Sequence, residues 1–446
     1  MTAPSIASRL SALRMRPLAA CLAATIAASP GDGAAQLAGI DQAATIVVVQ
    51  NCNDSGPGSL RAAYANAVDN ETIDLTQLTC SRITLGSALV DPVAAASVTL
   101  MGPDRDLLTI DGAGLYRVLV HSGNGALHVD HLTIANGHHG GTRGGCIYSA
   151  GGVEATGTTV SACVVDTTGP YALGGAIFAQ GVVSLFDSTV ADSSAIAPGL
   201  TDSRGGGIYS SGIVMSRSTV SGNKAAKGGG AHLTGLVDIE YSTFSGNRAS
   251  YYGGALIVPG TADRHMIRNS TISGNQADNG GGAIYADSVA VYNSTITKNV
   301  TLLRFASGAG LLVGDSILQS TIVANNTSDN GLLEDDVLTT DIISGSSNLI
   351  MAAQGPVPAD TITTDPKLGP LQDNGGATRT HALLPGSPAV DNGNNYAGLA
   401  RDQRGAPFSR VDGAGSDIGA FESGDTIHRS NFEPVEVQRF SASGSP

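Results

Sequence analysis

Tryptophan is absent from this chain of 446 residues, aromatic residues make up only 4% of it, and charged residues only 14%. Apolar residues still reach 41%, so the chain is not disordered, and the low charge excludes a helical coiled coil. Long apolar runs are also missing, because none beyond residue 40 approaches the ~20 residues of a membrane-spanning helix. We therefore expect no transmembrane span in the mature chain.

Basic residues are scarce as well. The chain has 24 lysines and arginines against 38 aspartates and glutamates, which gives a formal net charge of -14. Such a charge repels phosphate groups, and the sequence shows no local basic cluster that would offset the repulsion. We therefore expect no nucleic-acid partner.

Glycine, by contrast, is abundant: its 59 residues indicate many turns. The length suits about three domains, unless a repeat extends a single core lengthwise.

The N-terminal segment reads as an export signal. Arg16 precedes an apolar stretch at residues 18–28, and small residues follow it. We expect a cleaved signal peptide over residues 1–35, which begins at either Met1 or Met15, and a bacterial protein that is secreted or held at the cell surface.

Four cysteines remain after the signal segment, an even number that favours two disulfides in an exported chain. Sequence alone allows three pairings, of which we expect the nearest-neighbour one. The sequence contains no CxxC or HxxxH spacing, so we expect no metal site. It also contains no cofactor motif, so we expect no cofactor. The four residues are Cys52, Cys80, Cys146 and Cys163.

A repeated motif, Ser-Thr-apolar-x-x-Asn, runs through the middle of the chain at a mean interval of about 27 residues. Apolar residues recur two positions after and three positions before each start. Because these columns are an odd number of residues apart, the chain must bend between them to bury both, and Asn269 and Asn293 suit such a corner. The copies start at Leu132, Thr158, Ser188, Ser218, Ser242, Ser270, Ser294 and Ser320.

A second motif, Gly-Gly-x-apolar, lies between these copies and predicts a third apolar strand. In the copy at residues 229–231, His232 stands at the apolar position of the motif. Either His232 is stacked inside the core, or a one-residue slip lets Leu233 fill that position. We favour the slip. The motif occurs at residues 144–147, 174–177, 206–208, 253–256, 281–284 and 308–311.

Three short strands per turn, each matching its counterpart one turn later, predict an all-β fold, a parallel β-helix of about nine turns. Residues 59–67, with Ser59 as N-cap, predict a helix that covers the first turn. The expected divisions are an N-terminal cap with first turns at 46–100, repeats at 101–350, an irregular C-terminal cap at 351–422 and a mobile tail at 423–446.

Two further columns follow from the alignment. The first is a column of asparagines, which predicts stacked amides with a structural role. Cys163 falls in this asparagine column. The other is an aromatic file that is core if it faces inward and could stack on sugar rings if it faces outward. The amide column is Asn223, Asn247, Asn275, Asn299 and Asn325; the aromatic file is Tyr148, Phe178, Tyr209 and Tyr285.

The segment NCNDSGPGSLR at residues 51–61 resembles the N-terminal part of bacterial surface proteins with right-handed parallel β-helix repeats. The C-terminal segments DPKLGPL, PGSPAVD, DQRG and DIGAFE resemble the choice-of-anchor Q domain of those proteins. GGAI and FSGN resemble repeats of chlamydial polymorphic outer-membrane proteins. The resemblance implies a right-handed winding and a surface location, and it implies little about activity.

An enzyme of this shape would need paired carboxylates, or acidic calcium ligands with an arginine base. The candidate pairs Asp104/Asp106, Asp335/Asp336 and Asp412/Asp417 all lie in predicted loops. His138 and His139 lie in a predicted linker without an obvious carboxylate neighbour. We therefore expect no catalytic or cofactor-binding residues.

These observations favour a monomeric, adhesin-like surface scaffold whose partner is an extracellular glycan or surface protein. The alternative is a polysaccharide lyase or hydrolase of the pectate-lyase-like class.

Overall fold

A computed structural model describes residues 45–92, 95–199, 202–258, 260, 265–303 and 308–424. The predicted signal peptide at residues 1–35 lies outside them, as do residues 425–446. The described chain winds into a parallel β-solenoid of about eleven turns. It contains one short α-helix, Leu60–Ala65, and one 3-10 turn, Asp329–Gly331.

Three parallel ladders of strands surround the core. The first core ladder contains Ile46–Val48, Glu71–Asp74, Val98–Met101, Ala126–Asp130, Gly152–Thr156, Val182–Phe186, Gly212–Ser216, Val237–Glu240, Met266–Arg268, Ala290–Tyr292, Ser316–Gln319 and Ile343–Ser346. The second core ladder contains Arg82–Thr84, Thr109–Asp111, Thr133–Ala135, Thr159–Ser161, Thr189–Ala191, Thr219–Ser221, Thr243–Ser245, Thr271–Ser273, Thr295–Thr297, Ile322–Ala324 and Leu349–Ile350. The third contains Leu89–Val90, Leu119–His121, Ile147–Ser149, Ile177–Ala179, Ile208–Ser210, Ala231–Leu233, Leu256–Val258, Ile284–Ala286, Leu311–Val313, Val337–Thr339 and Ala353–Gln354.

A fourth ladder, which we call the arch ladder, lies between the second and third core ladders and was not expected from the sequence. Turns are numbered below by their strand in the second core ladder, from Arg82–Thr84 as turn 1 to Leu349–Ile350 as turn 11. The arch ladder contains His138–His139, Val164–Asp166, Ala172–Leu173, Ser194–Ile196, Ser203–Arg204, Lys224–Lys227, Arg248–Tyr252, Gln276–Ala277, Val300–Thr301, Thr327–Ser328 and the antiparallel Leu333–Glu334.

The corner between the first and second core ladders is a left-handed residue in turn after turn, as the column spacing predicts. Asn269 and Asn293 have φ values of 42° and 44°. The same place is taken by residues whose φ is also positive, which shows that the corner geometry, rather than asparagine itself, is the common requirement. These residues are His131, Gly157, Asp187, Arg217, Tyr241 and Ser320.

Equivalent apolar side chains stack in register along the core. Ile272 pairs with Ile296, and both are buried. The predicted register is wrong in turn 10, where Val323 rather than Ile322 follows Ile296. The reason is that Ser320 takes the left-handed corner, which shifts the copy by one residue; Leu318 replaces the expected Ile317 in the same way.

The third core ladder also corrects the expected alignment at His232. Ala231 pairs with Ile208, so it fills the apolar column, and His232 pairs with Tyr209 in the outward column. Leu233 occupies the next inward position and is fully buried. The favoured slip is wrong because the left-handed glycine of this turn is Gly228, one residue earlier than the motif alignment assumed.

A polar ladder of asparagine amides runs along the corner between the second core ladder and the arch ladder. The amide Nδ2 of each residue donates to the Oδ1 of the next, as Asn247 does to Asn275 at 2.9 Å. In turn 10 the member is Asn326, not the expected Asn325, whose φ of 59° places it at the corner. Asp336 ends the ladder by accepting from Asn326.

The N-terminal end has the predicted helix. The side chain of Ser59 accepts a hydrogen bond from the backbone N–H of Ala62 at 3.2 Å, and Leu60 and Tyr64 are buried in the core. The structure contains two disulfides, and both join nearest neighbours: Cys52 with Cys80, and Cys146 with Cys163. Within the described ranges, no helix is long and apolar enough to cross a bilayer.

The C-terminal segment, residues 363–424, does not simply close the end of the solenoid. It contains the hairpin Leu368–Gln372 and Thr380–Leu383 and packs sideways on the outer face of the second core ladder. Its contacts extend from Thr243 in turn 7 to Ser320 in turn 10. Ile322 is buried under this segment in a second cluster with Leu349, Ala389 and Ile418.

Polar contacts hold the last described residues of this segment in place. The buried side chains of Arg410 and Glu422 form an ion pair at 2.6 Å. Ser423, expected to begin a mobile tail, donates from its backbone and hydroxyl to Asp417 at 2.6 Å.

Candidate ligand-binding face

Each arch leaves the body of the solenoid after the second core ladder and returns before a glycine of the third. In turns 4 and 5 the outgoing strands Val164–Asp166 and Ser194–Ile196 have separate return strands, Ala172–Leu173 and Ser203–Arg204. In turn 6 the single strand Lys224–Lys227 pairs with both the outgoing and the return strand of turn 5. The arches of turns 4 and 5 are therefore long, and the next one is short.

Small apolar side chains fill the space inside the long arches. Val165, Ala172, Ala195 and Ala225 form a cluster of their own, separate from the main core. This packing holds the arches together as a ridge along one side of the solenoid.

Basic residues from successive turns gather on this ridge, although the sequence shows no local basic cluster. They come together because they are about one repeat apart in the chain and so lie on neighbouring turns. Within the described residues, none of them forms an ion pair with a carboxylate, whereas Arg61, Arg217, Arg268, Arg404 and Arg410 do. The ridge residues are Arg117, Arg143, Arg204, Lys224, Lys227 and Arg248.

The aromatic file lies beside the ridge and faces outward. Tyr148, Phe178, Tyr209 and His232 stack along the axis, with ring centroids 5.5 to 5.7 Å apart and planes within 8° of parallel. The guanidinium group of Arg117 lies 5.4 Å from the centroid of the Tyr148 ring. Because the ring faces contact each other or a guanidinium, and because Phe178 and His232 are buried, the row offers little free face for a sugar ring.

A second aromatic group follows in turns 7 and 8. Tyr251 and Tyr252 have ring centroids 4.3 Å apart, and Tyr252 stacks on Tyr285 at 5.0 Å. Lys227 lies 5.5 Å from the centroid of Tyr251. All three tyrosines are half-buried.

A cavity of about 330 Å³ lies where the long arch of turn 5 overhangs the short arches of turns 6 and 7, and we call it the ledge. Ala225 and Ala226 form its floor, and Ser194 and Ile196–Gly199 form its wall. Lys224 and Arg248 lie at its open edge, and both side chains are exposed.

The histidine pair does have a carboxylate neighbour, contrary to the expectation from the sequence. His138 and His139 form an arch strand, and His138 Nε2 lies 2.9 Å from the Oδ1 of Asp166, which comes from the next turn. Burial, aided by Arg117 and His138, lowers the pKa of His139 to about 4, so this imidazole is neutral at pH 7.

In each of the three carboxylate pairs named from the sequence, at least one carboxylate accepts hydrogen bonds within the described chain. Asp104 accepts from the backbone N–H of Asp106 at 2.8 Å, as a turn-forming residue does. Asp336 accepts from Asn326 and from the backbone of Ala352, and burial raises its pKa to about 6. Among the described residues, no group of three or more His, Cys, Asp or Glu side chains could hold a metal ion.

Sequence reasoning missed a fully buried pair at the N-terminal end. His121 Nδ1 lies 2.5 Å from Asp91 Oδ2, and Asp91 also accepts from the backbone of Ser122. His121 Nε2 has no hydrogen-bond partner among the residues that the structure describes. The pair joins strands of neighbouring turns, so no short-range motif could have indicated it.

Comparisons with known proteins bear on the repeat. Residues 269–287 match the Chlamydia polymorphic membrane protein repeat; they span the corner at Asn269, the ladder residue Asn275 and the glycine pair at 281–282. No curated protein matches the chain. A solved structure titled as the PL6 family alginate lyase AlyGC is similar, with a TM-score of 0.35 and 11% identity; the match covers 74% of this chain and 55% of that one.

Proposed function

We propose that this chain is an exported, surface-displayed or secreted β-helix protein that binds extracellular glycans without cleaving them. The observation that carries the proposal is the ridge of arches, where tyrosines, a cavity and cations that form no ion pair with a carboxylate of the described chain lie on one face. The match to a membrane-protein repeat and the two disulfides support a location outside the cytoplasm.

The proposal includes the finer organisation expected from the sequence. We infer a signal peptide at residues 1–35, N-terminal turns at 46–100, right-handed repeats at 101–350 and a choice-of-anchor Q type segment at 351–422. The motifs DQRG and DIGAFE support the last division, since Gln403 binds that segment to the solenoid and Glu422 pairs with Arg410 within the segment.

Binding by the full chain to an array of neutral and charged glycans tests the function. We expect binding to a restricted set of glycans and loss of that binding when ridge cations are replaced. Absence of binding to any glycan, with a folded chain, would contradict the proposal. Fractionation of the producing cells tests the location, since we expect the protein in the surface or extracellular fraction.

A polysaccharide lyase or hydrolase is the second candidate, favoured by one observation. His138 and Asp166 form a half-exposed imidazole–carboxylate pair on the same ridge, and such a pair can move a proton. This candidate predicts shortened polysaccharide products that disappear in His138→Ala, whereas the binding function predicts none.

A further inference from the structure

We propose that the ledge binds the carboxylate of an acidic sugar residue within an anionic polysaccharide. The inference rests on the proposed glycan-binding function and names the chemical class of its ligand, a polyuronate. Three features of the ledge support this inference: the charge at its edge, the chemistry of its lining and the row of cations that continues from that edge.

The charge at the edge of the ledge is the first step. Lys224 and Arg248 are directly paired in neighbouring parallel strands, which lie about 4.8 Å apart. Like charges in directly opposed cross-strand positions are destabilising. Neither side chain has a carboxylate partner in the described part of the chain, so an external anion between them would relieve the repulsion and accept hydrogen bonds from the guanidinium group.

The floor and wall of the ledge indicate what the anion is attached to. Ala225 and Ala226 are buried beneath the ledge, and the exposed side chains of Ile196 and Pro198 give an apolar surface that suits the C–H face of a sugar ring. The hydroxyls of Ser194 and Ser250 make no hydrogen bond within the described chain and can bind sugar hydroxyls. A cavity of about 330 Å³ is at the small end of ligand sites, which suits one monosaccharide unit of a longer chain.

The cations on the return side of the arches indicate a polymer rather than a single sugar. Lys227 pairs with Arg204 of the preceding turn, and Arg143 lies two turns further toward the N-terminal end in the same column. A chain that carries a carboxylate on each unit can contact these groups in succession while one unit occupies the ledge. Longer polymers should therefore bind more tightly than short ones.

The test compares polygalacturonate with its carboxyl-reduced, neutral form by isothermal titration calorimetry with the full chain at low ionic strength. We expect the acidic polymer to bind and the neutral one not to bind. The double variant Lys224→Gln/Arg248→Gln should lose affinity by about tenfold or more, because both side chains contact the carboxylate. Both residues are exposed, and circular dichroism checks that the variant folds.

A matched control removes two positive charges elsewhere. Lys367→Gln/Arg379→Gln changes exposed residues of the C-terminal segment and should bind like the wild type. Equal binding of the acidic and neutral polymers would overturn the inference and leave the glycan-binding function standing. Equally tight binding of double-stranded DNA would also overturn it, since the ridge would then be a general polyanion surface. Loss of affinity in the control as large as in the ledge variant would have the same meaning.

Discussion

At the scale of single residues, the asparagine ladder explains why the carboxylate of Asp336 is buried at its end. Each amide donates toward the C-terminal end and accepts from the N-terminal side, from Asn223 to Asn326. The last member needs only to accept, because Asn326 donates from its backbone and side chain and Ala352 donates from its backbone. Asp336 meets this requirement, and an asparagine there would place its NH₂ group against a donor.

Replacing one ladder amide tests this role. Asn275 donates to Phe244 O at 3.1 Å and to Asn299 Oδ1 at 3.0 Å, and it accepts from Asn247. Asn275→Ala leaves buried donors and acceptors without partners, so we expect the free energy of unfolding to fall by about 3 kcal/mol. Denaturant titration measures it.

The control for that experiment is Asn124→Ala, which changes an exposed asparagine whose side chain has no hydrogen-bond partner among the described residues. We expect this variant to stay within about 0.5 kcal/mol of the wild type. A similar loss of stability in both variants would show that the ladder has no special role.

At the scale of elements, the buried amide of Gln403 makes several of the hydrogen bonds that hold the C-terminal segment on the solenoid. Gln403 Oε1 accepts from the hydroxyl of Thr271 at 2.6 Å, and its Nε2 donates to the hydroxyls of Thr243 and Thr378 at 2.9 Å. The outward threonines of the second core ladder thus bind this segment, while those of earlier turns, such as Thr159 and Thr189, remain partly exposed.

Gln403→Ala should loosen this docking without unfolding the solenoid. Amide hydrogen exchange in the strands Thr243–Ser245 and Thr271–Ser273 and in the hairpin should rise, because their cover opens more often. Gln372→Ala, in an exposed residue of the hairpin, is the matched control and should leave exchange unchanged. Protection that stays at the wild-type level in Gln403→Ala would refute the assignment.

The docking of the same segment should depend on pH through His381. Its Nδ1–H donates to Gly369 O at 2.7 Å, Nε2 accepts from the Ser273 hydroxyl at 2.8 Å, and burial lowers the pKa to about 4. The unfolded chain takes up the proton near pH 6.5 and the folded chain only near pH 4. Stability from this group is therefore full above pH 6.5 and is lost as the pH falls toward 4.

The measurement compares the wild type with His381→Gln by denaturant titration at pH 7.5 and pH 4.5. The wild type should lose roughly 2 to 3 kcal/mol more than the variant over this interval, because only the wild type carries the imidazole. Equal losses in the two proteins would mean that His381 titrates normally in the folded state.

At the scale of the whole molecule, the sequence predicts the core that runs along the solenoid. It does not predict the arches or the C-terminal segment that packs on the solenoid. The columns through Ile272 and Ile296 could be predicted because a solenoid repeats its contacts at a regular interval in the chain. The two disulfides could be predicted from an even number of cysteines in an exported chain and from nearest-neighbour pairing. The turns number about eleven rather than nine, since turns 1, 2 and 11 lack the Ser-Thr pair.

The features that carry function could not be predicted in the same way. Lys224 and Arg248, or His138 and Asp166, become neighbours only when the register between turns is known, and a slip of one residue changes each pair. The sideways docking of Gln403 joins residues more than 130 positions apart and leaves no periodic signal. The contacts between arches and the docking of the C-terminal segment could therefore be found only from the structure.

The proposed function is that this solenoid binds a polysaccharide without cleaving it. The most direct measurement is size-exclusion chromatography with light scattering of polygalacturonate after prolonged incubation with the full chain. We predict that the protein elutes with the polymer and that the molar mass of the recovered polymer is unchanged. A polymer that becomes shorter with the wild type and stays intact with His138→Ala would contradict the claim.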